Sequence, residues 1–184
     1  ARWQDMTGDL DPPQWQINDS GRDIEATRHY KDLKQHPTES ETFFITSLYL
    51  RREGNGGGVY KTRDGGAHWV QLTTEKTVKY GWGEEHARKN NVCLKAVTLA
   101  INQANPQKMA FTSNGIAQGF KTEDGGKSWY PLHTRAIGEV EGRETYRSTG
   151  IESYKAAIGV HPTNSQILLL GYGDHALLKS VDGG

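Results

Sequence analysis

The residues able to do chemistry in this chain fall into a repeated set and an unrepeated one. The repeated set is built on carboxylates. Thr62-Arg63-Asp64-Gly65-Gly66-Ala67-His68-Trp69 returns as Thr122-Glu123-Asp124-Gly125-Gly126-Lys127-Ser128-Trp129, and in part as Ser180-Val181-Asp182-Gly183-Gly184. The aspartates stand 60 and 58 residues apart. A carboxylate beside a hydroxyl in a Gly-Gly turn can bind calcium or act in catalysis, or it can accept hydrogen bonds from the turn's own backbone, as Asx- and ST-turns do. Recurrence favours the turn: one active site needs its carboxylate once, whereas every repeat needs its hairpin closed. Gly65 and Gly66 supply φ > 0 cheaply, and Trp69 can cover the hairpin. On this reading Thr62, Asp64, Gly66 and Trp69, then Thr122, Asp124, Gly126 and Trp129, then Ser180, Asp182 and Gly184 are structural.

The unrepeated set lies in long connections. Residues 80–88 read Tyr-Gly-Trp-Gly-Glu-Glu-His-Ala-Arg. Trp82 between two glycines is hard to explain as core. With Tyr80 it could stack on a sugar ring or anchor a protein partner; the alternative is that it packs on its own loop. Asp174 follows Leu168-Leu169-Leu170-Gly171-Tyr172-Gly173, with His175 beside it and Glu152 on an earlier loop. A carboxylate at the end of an inner strand could be a general acid or base; the alternative is a turn aspartate in a Gly-rich loop. Tyr146 and Arg147 lie in the charged run 141–147, which reads equally as a solvated loop.

Other chemistries find little to stand on. His36 and His161 hold the same place before a proline, a turn position rather than a ligand pair. No zincin, P-loop or dinucleotide-binding signature occurs. Cys93 is alone, which excludes an internal disulfide framework and a cysteine zinc site. No cofactor and no metal is expected.

These residues must be positioned by strands. Upstream of each Asp-Gly-Gly turn lies a Pro/Asn turn followed by an apolar run: His36-Pro37 before Phe43-Phe44-Ile45, Asn105-Pro106 before Met109-Ala110-Phe111, and His161-Pro162 before Ile167-Leu168-Leu169-Leu170. Each unit reads as strand, turn, strand, loop, strand, Asp-Gly-Gly turn, strand. Residues 96–101 and 156–160 are expected as first strands, and 58–61, 119–121 and 177–179 as third strands. The long connections are expected at 8–30, 74–94 and 133–154. Four short strands in about 60 residues is the size of a propeller blade.

Composition agrees. There are 22 glycines in 184 residues, above the usual share of about 7%, which points to many turns. Lys+Arg and Asp+Glu are both 22, so no strong field draws the chain to nucleic acid. No run is long and apolar enough for a membrane-spanning helix.

The Ser/Thr-x-Asp-x-Gly-x-x-Trp pattern resembles the Asp-box, or BNR, repeat. By this likeness the chain resembles Asp-box β-propellers: sialidases, xyloglucan-active glucanases, sortilin-type receptors and photosystem assembly factors. The resemblance implies an all-β fold of four-stranded antiparallel blades, about three of them, with the boxes opposite the active face. Gly150-Ile151-Glu152 and Gly173-Asp174 resemble motifs of the xyloglucan-active glucanases, where the matching aspartate is catalytic. That family follows its aspartate with Gly-Gly-Phe; here His175-Ala176-Leu177 follows. Tyr146, Arg147 and Glu152 supply residue types that sialidases use. The resemblance implies a glycosidase-like or glycan-binding secreted protein, extracellular or periplasmic, with a polysaccharide or glycan as ligand. The alternative is a non-catalytic scaffold for protein assembly.

The expected division is residues 1–73, 74–133 and 134–184, with 1–7 completing a neighbouring blade. Trp3-Gln4-Asp5-Met6-Thr7 matches Trp69-Val70-Gln71-Leu72-Thr73, so Trp3 reads as the tryptophan of a box. The third box stops before its own. Three blades are expected to be incomplete as a closed ring, so the partners expected are further blades from the same longer chain, another chain or a second copy.

Overall fold

The computed structural model describes residues 5–10, 14–17, 23–26, 29–48, 57–81, 95–113, 119–149, 157–171 and 177–184. All regular structure among them is strand. β1 (Gln14–Ile17) and β2 (Asp23–Ala26) pair antiparallel. β3 (His29–Gln35), β4 (Phe43–Leu48), β5 (Gly58–Thr62) and β6 (Val70–Gln71) form an antiparallel four-stranded sheet in chain order. β7 (Ala96–Ile101), β8 (Met109–Ser113), β9 (Gly119–Thr122) and β10 (Tyr130–Pro131) form a second of the same order. After a two-stranded pair, β11 (Thr134–Val140) and β12 (Arg143–Ser148), a third sheet holds β13 (Ala157–Val160), β14 (Leu168–Gly171) and β15 (Leu177–Ser180).

The three sheets share a register. Ile45 faces Tyr60, Phe111 faces Phe120, and Leu170 faces Leu178. In each case the third-strand residue lies four positions before the turn aspartate. A second device also repeats where the first strand turns into the second. Nδ1 of His36 accepts the amides of Thr38 (3.3 Å) and Glu39 (3.2 Å). Nδ1 of His161 accepts those of Thr163 (3.3 Å) and Asn164 (3.2 Å). Asn102 does the same through Oδ1, with Ala104 at 3.0 Å and Asn105 at 2.7 Å. A ring nitrogen accepts only when it carries no proton, so both rings hold their hydrogen on Nε2.

The sheets follow one another through their first strands: β7 packs on β3 and β4, and β13 packs on β7 and β8. Hydrogen bonds fasten each step. Leu99 N donates to the Asp32 carboxylate (3.0 Å) and Thr46 Oγ1 to Val97 O (2.7 Å). Asn102 Nδ2 donates to His161 O (3.0 Å) and Ala104 N to Pro162 O (3.1 Å). The main core joins the first two sheets and includes Phe44, Val59, Leu99, Met109, Phe111, Phe120 and Trp129. Phe111 stacks on Phe120 at 5.2 Å and meets the edge of Trp129 at 4.9 Å, an arrangement ring quadrupoles favour.

Two connections hold more structure than expected. Residues 14–26 contain the β1–β2 pair, and 133–154 contain the β11–β12 hairpin. Its turn is Glu141-Gly142, with φ of 51° and 75°. Two successive positive φ values are what a two-residue hairpin of right-handed strands needs. The charges of 141–147 hid that signal, because strands exposed on both faces show no apolar alternation.

Candidate functional site

The three Asp-Gly-Gly turns have one hydrogen-bond pattern. Thr62 Oγ1 donates to Asp64 Oδ1 (2.8 Å) and accepts the amides of Asp64 (3.3 Å) and Gly66 (3.0 Å). Thr122 and Asp124 repeat this at 2.7, 3.3 and 3.0 Å, and Ser180 and Asp182 at 2.7, 3.3 and 2.8 Å. The second oxygen of the aspartate reaches forward: Asp64 Oδ2 to His68 Nδ1 (2.7 Å), and Asp124 Oδ2 to the hydroxyl of Ser128. Backbone amides of His68 and Ser128 add 2.9 and 3.0 Å contacts to Oδ1.

These bonds fix the charge states. Around Asp124, burial pushes the carboxyl up, but the Ser128 hydroxyl and amide, the Thr122 hydroxyl and the Lys127 amide outweigh it and bring it down to about 2. The His68 amide and ring and the Thr62 hydroxyl hold Asp64 well below the carboxylate range. The hydrogen bond that the His68 ring donates to Asp64, and then the carboxylate's charge, raise the proton affinity of His68. A carboxylate so occupied by its own turn is poorly placed to take a proton from a substrate. Among the described residues no group of three or more His, Cys, Asp or Glu side chains gathers to hold a metal.

Each turn is also a joint. Its first glycine amide donates to a residue of its own sheet: Gly65 to Glu41 O (2.9 Å), Gly125 to Gln107 O (3.0 Å), Gly183 to Gln166 O (2.9 Å). Its second glycine meets a residue that stands three positions after a tryptophan in the sequence, Met6, Leu72 or Leu132. A Cβ on Gly66 would stand 2.7 Å from Met6 O, and one on Gly126 2.8 Å from Leu72 Cδ1. One on Gly184 would stand 2.8 Å from Leu132 Cδ2. The tryptophans close the joint. Trp69 Nε1 donates to Gly66 O (3.1 Å) and its amide to Asp9 Oδ1 (2.7 Å). Trp129 is fully buried; its amide bonds Thr77 O, and its carbonyl accepts Lys79 N, both at 2.8 Å.

A cleft of about 630 Å³ opens between β10, the 75–81 segment and the β11–β12 hairpin. Its walls include Tyr130, Tyr146, Glu144, Arg135 and Lys79, and it reaches Asp182 and Gly184. Tyr130 is 50% exposed. The Tyr146 hydroxyl donates to the Glu144 carboxylate. Lys121 also lines the cleft, its ammonium donating to Gly183 O (2.7 Å) and to Gly184 O. Burial lowers its affinity for a proton. The cleft volume falls within the range of small-ligand sites, and its walls mix aromatic faces with both signs of charge.

Of the ligand candidates, the structure brings Tyr80 and Tyr146 to this cleft. Tyr80 is buried, its ring meeting Phe120 edge-on at 6.3 Å, so it presents little face to a ligand. Arg147 is exposed on β12, opposite Arg135. Trp3, Trp82, Glu152, Asp174 and His175 lie outside the described residues. Tyr130 and Glu144 were not singled out by sequence. Tyr130 directly follows Trp129, and that place on a fourth strand was the signal for its exposure.

No family model matches the chain, and no curated protein matches it. Among solved structures it is similar to a GH74 xyloglucanase from Xanthomonas campestris, at 15% identity and a TM-score of 0.38. The match covers 83% of this chain and 28% of that one. At that identity and score it assigns no role to any residue here.

Proposed function

We propose that this chain is a segment of an Asp-box β-propeller from a secreted, glycan-binding or glycosidase-like protein. Three congruent turns, and sheets that follow one another through their first strands, support the architecture. The division at 73/74 and 133/134 belongs to this reading, as does an extracellular or periplasmic location. The observation that carries glycan binding is the cleft, where half-exposed Tyr130 stands with Tyr146 and Glu144. A tyrosine face stacks on the apolar face of a sugar ring, and a carboxylate accepts from its hydroxyls. In the hydrolytic form of this reading Asp174 is the acid or base, and Trp82 and Glu152 bind the ligand. A glycan array together with reducing-end release from β-glucans tests it. Release abolished by Asp174→Asn supports hydrolysis; binding without release supports a lectin-like segment; neither binding nor release rejects both.

A second reading, a non-catalytic propeller scaffold, is favoured by the apolar residues left open at the two outer sheets. Leu33 of β3 and Leu169 and Leu177 of the third sheet are exposed. Exposed apolar surface at opposite ends of an array marks contact sites.

A further inference from the structure

The β11–β12 hairpin is exposed on both sides, and its two sides carry opposite charge. Residues facing each other across an antiparallel pair point to the same side, and successive residues alternate. The register then sorts the hairpin. Thr134, Ala136 and Glu139 share one side with Ser148, Tyr146 and Glu144. That side holds the Tyr146–Glu144 contact and walls the cleft. Arg135, Gly138 and Val140 share the other side with Arg147, Thr145 and Arg143. This second side holds three arginines and no carboxylate.

Arg135 faces Arg147 directly. Like charges so placed weaken a ladder. No ion pair offsets the cost: among the described residues no carboxylate pairs with Arg135, Arg143 or Arg147. All three are exposed, as is Val140. A two-stranded hairpin is marginal in water even without repulsion. This one is fastened at its root, where Thr149 N donates to His133 O (2.9 Å) and Thr149 Oγ1 to Leu132 O (2.7 Å). Beyond the root, burial does not account for the arginines. An anion seated on them does, because it turns a repulsion into a shared contact.

The spacing sets the kind of anion. Facing Cβ atoms lie about 4.5–5.5 Å apart, so the guanidinium forks of Arg135 and Arg147 reach one carboxylate together. Arg143 stands about 13 Å from Arg147 along β12. Between the two ends lie Gly138 and Thr145, and a Cβ on Gly138 would meet only Thr145 Oγ1, at 3.7 Å. The side is a shallow notch with positive charge at each end. A ligand that engages both ends carries acidic groups well apart on an extended chain. Glu139, Glu141 and Glu144 balance the three arginines of the hairpin, so no net positive field gathers a densely charged polymer such as nucleic acid. Single carboxylates spaced along a sugar chain fit better.

We propose that this side of the hairpin binds an acidic polysaccharide whose sugars carry carboxylates. Arg135 and Arg147 clamp one uronate carboxylate through their N–H donors, and Arg143 takes a second further along the chain. Thr145 meets a hydroxyl between them, and Val140 takes the apolar face of a sugar. The site goes beyond the cleft: of its residues only Arg135 also lines the cleft, and either site can fail alone.

Calorimetric titration with oligogalacturonates tests it. The native chain is expected to bind the oligomers, to leave monomeric galacturonate unbound, and to lose affinity as salt rises. Arg143→Gln and Arg147→Gln should each weaken binding about tenfold or more, since each removes a charge-assisted contact. Arg147→Gln also relieves the facing repulsion, so its thermal midpoint should hold or rise. Tyr130→Ala should leave oligogalacturonate affinity unchanged, which separates this site from the cleft. No binding by the native chain overturns the proposal. So does equal binding of monomer and oligomer, binding that both arginine variants retain, or binding that Tyr130→Ala abolishes. A lowered midpoint in Arg147→Gln, which would mark that arginine as structural, overturns it too. So does tighter binding of dextran sulfate or double-stranded DNA than of the oligogalacturonate.

Discussion

Leu72 of the first sheet lies against Gly126 of the second so closely that a single added methyl group would stand 2.8 Å from its Cδ1. Gly126 also has φ of 92°, a conformation that side-chain-bearing residues rarely adopt. Contact and conformation act together. Gly126→Ala is expected to lower stability by about 1–3 kcal/mol. In the Leu72→Ala background the added cost should shrink by about 0.5 kcal/mol or more, because the clash is gone and only the φ strain remains. Urea unfolding of the four proteins measures this; purely additive effects would show that the two residues do not meet.

Thr122 is the hub of its turn, donating to Asp124 and accepting the buried Gly126 amide at 3.0 Å. Thr122→Val keeps the shape and removes the acceptor. The orphaned amide should cost about 1–3 kcal/mol, and Thr122→Ser should recover most of it, as Ser180 already serves in the third turn. Equal losses in the Val and Ser variants would contradict the hydrogen-bond account.

The pH dependence follows from Asp124. Its folded value of about 2 lies below the ordinary 3.8, so its contribution is complete above about 4 and is lost as pH falls toward 2. Thermal scans between pH 5 and 2 should show a shallower acid decline for Asp124→Asn than for the native chain. Parallel profiles would place the acid sensitivity elsewhere.

The turn acceptors predict a substitution that tolerates chemistry but not its loss. Asn102 does in the second sheet what His36 and His161 do in the first and third. His36→Asn should therefore be close to neutral, while His36→Leu leaves two amides without their acceptor and should cost about 1–3 kcal/mol. Denaturation midpoints of the two variants decide it; a neutral leucine variant would mean water replaces the ring.

Much of the architecture was legible because its signals are local. Gly-Gly turns, prolines before apolar runs and an interval near 60 residues mark strands without any knowledge of what they touch. The joints were not legible. Met6, Leu72 and Leu132 look like any other apolar residue, and only their common distance to the second glycine of a turn sets them apart. The β11–β12 hairpin escaped because charge covers both its faces. The cleft is assembled from three separate segments, so no motif announces Tyr130 beside Tyr146 and Glu144. Tyr80 drew notice as the neighbour of Trp82, but its ring is buried in the core.

The functional reading turns on whether sugar enters the cleft. Calorimetric titration of the chain with β-glucan oligosaccharides, xyloglucan fragments among them, is the direct measurement. Tyr130 is half exposed and outside the core, so Tyr130→Ala should leave the fold intact. The expected result is saturable binding by the native chain and a loss of about tenfold or more in the Tyr130→Ala and Glu144→Gln variants, equivalent to about 1.4 kcal/mol. Absence of binding by the native chain, or binding that neither substitution weakens, would contradict it.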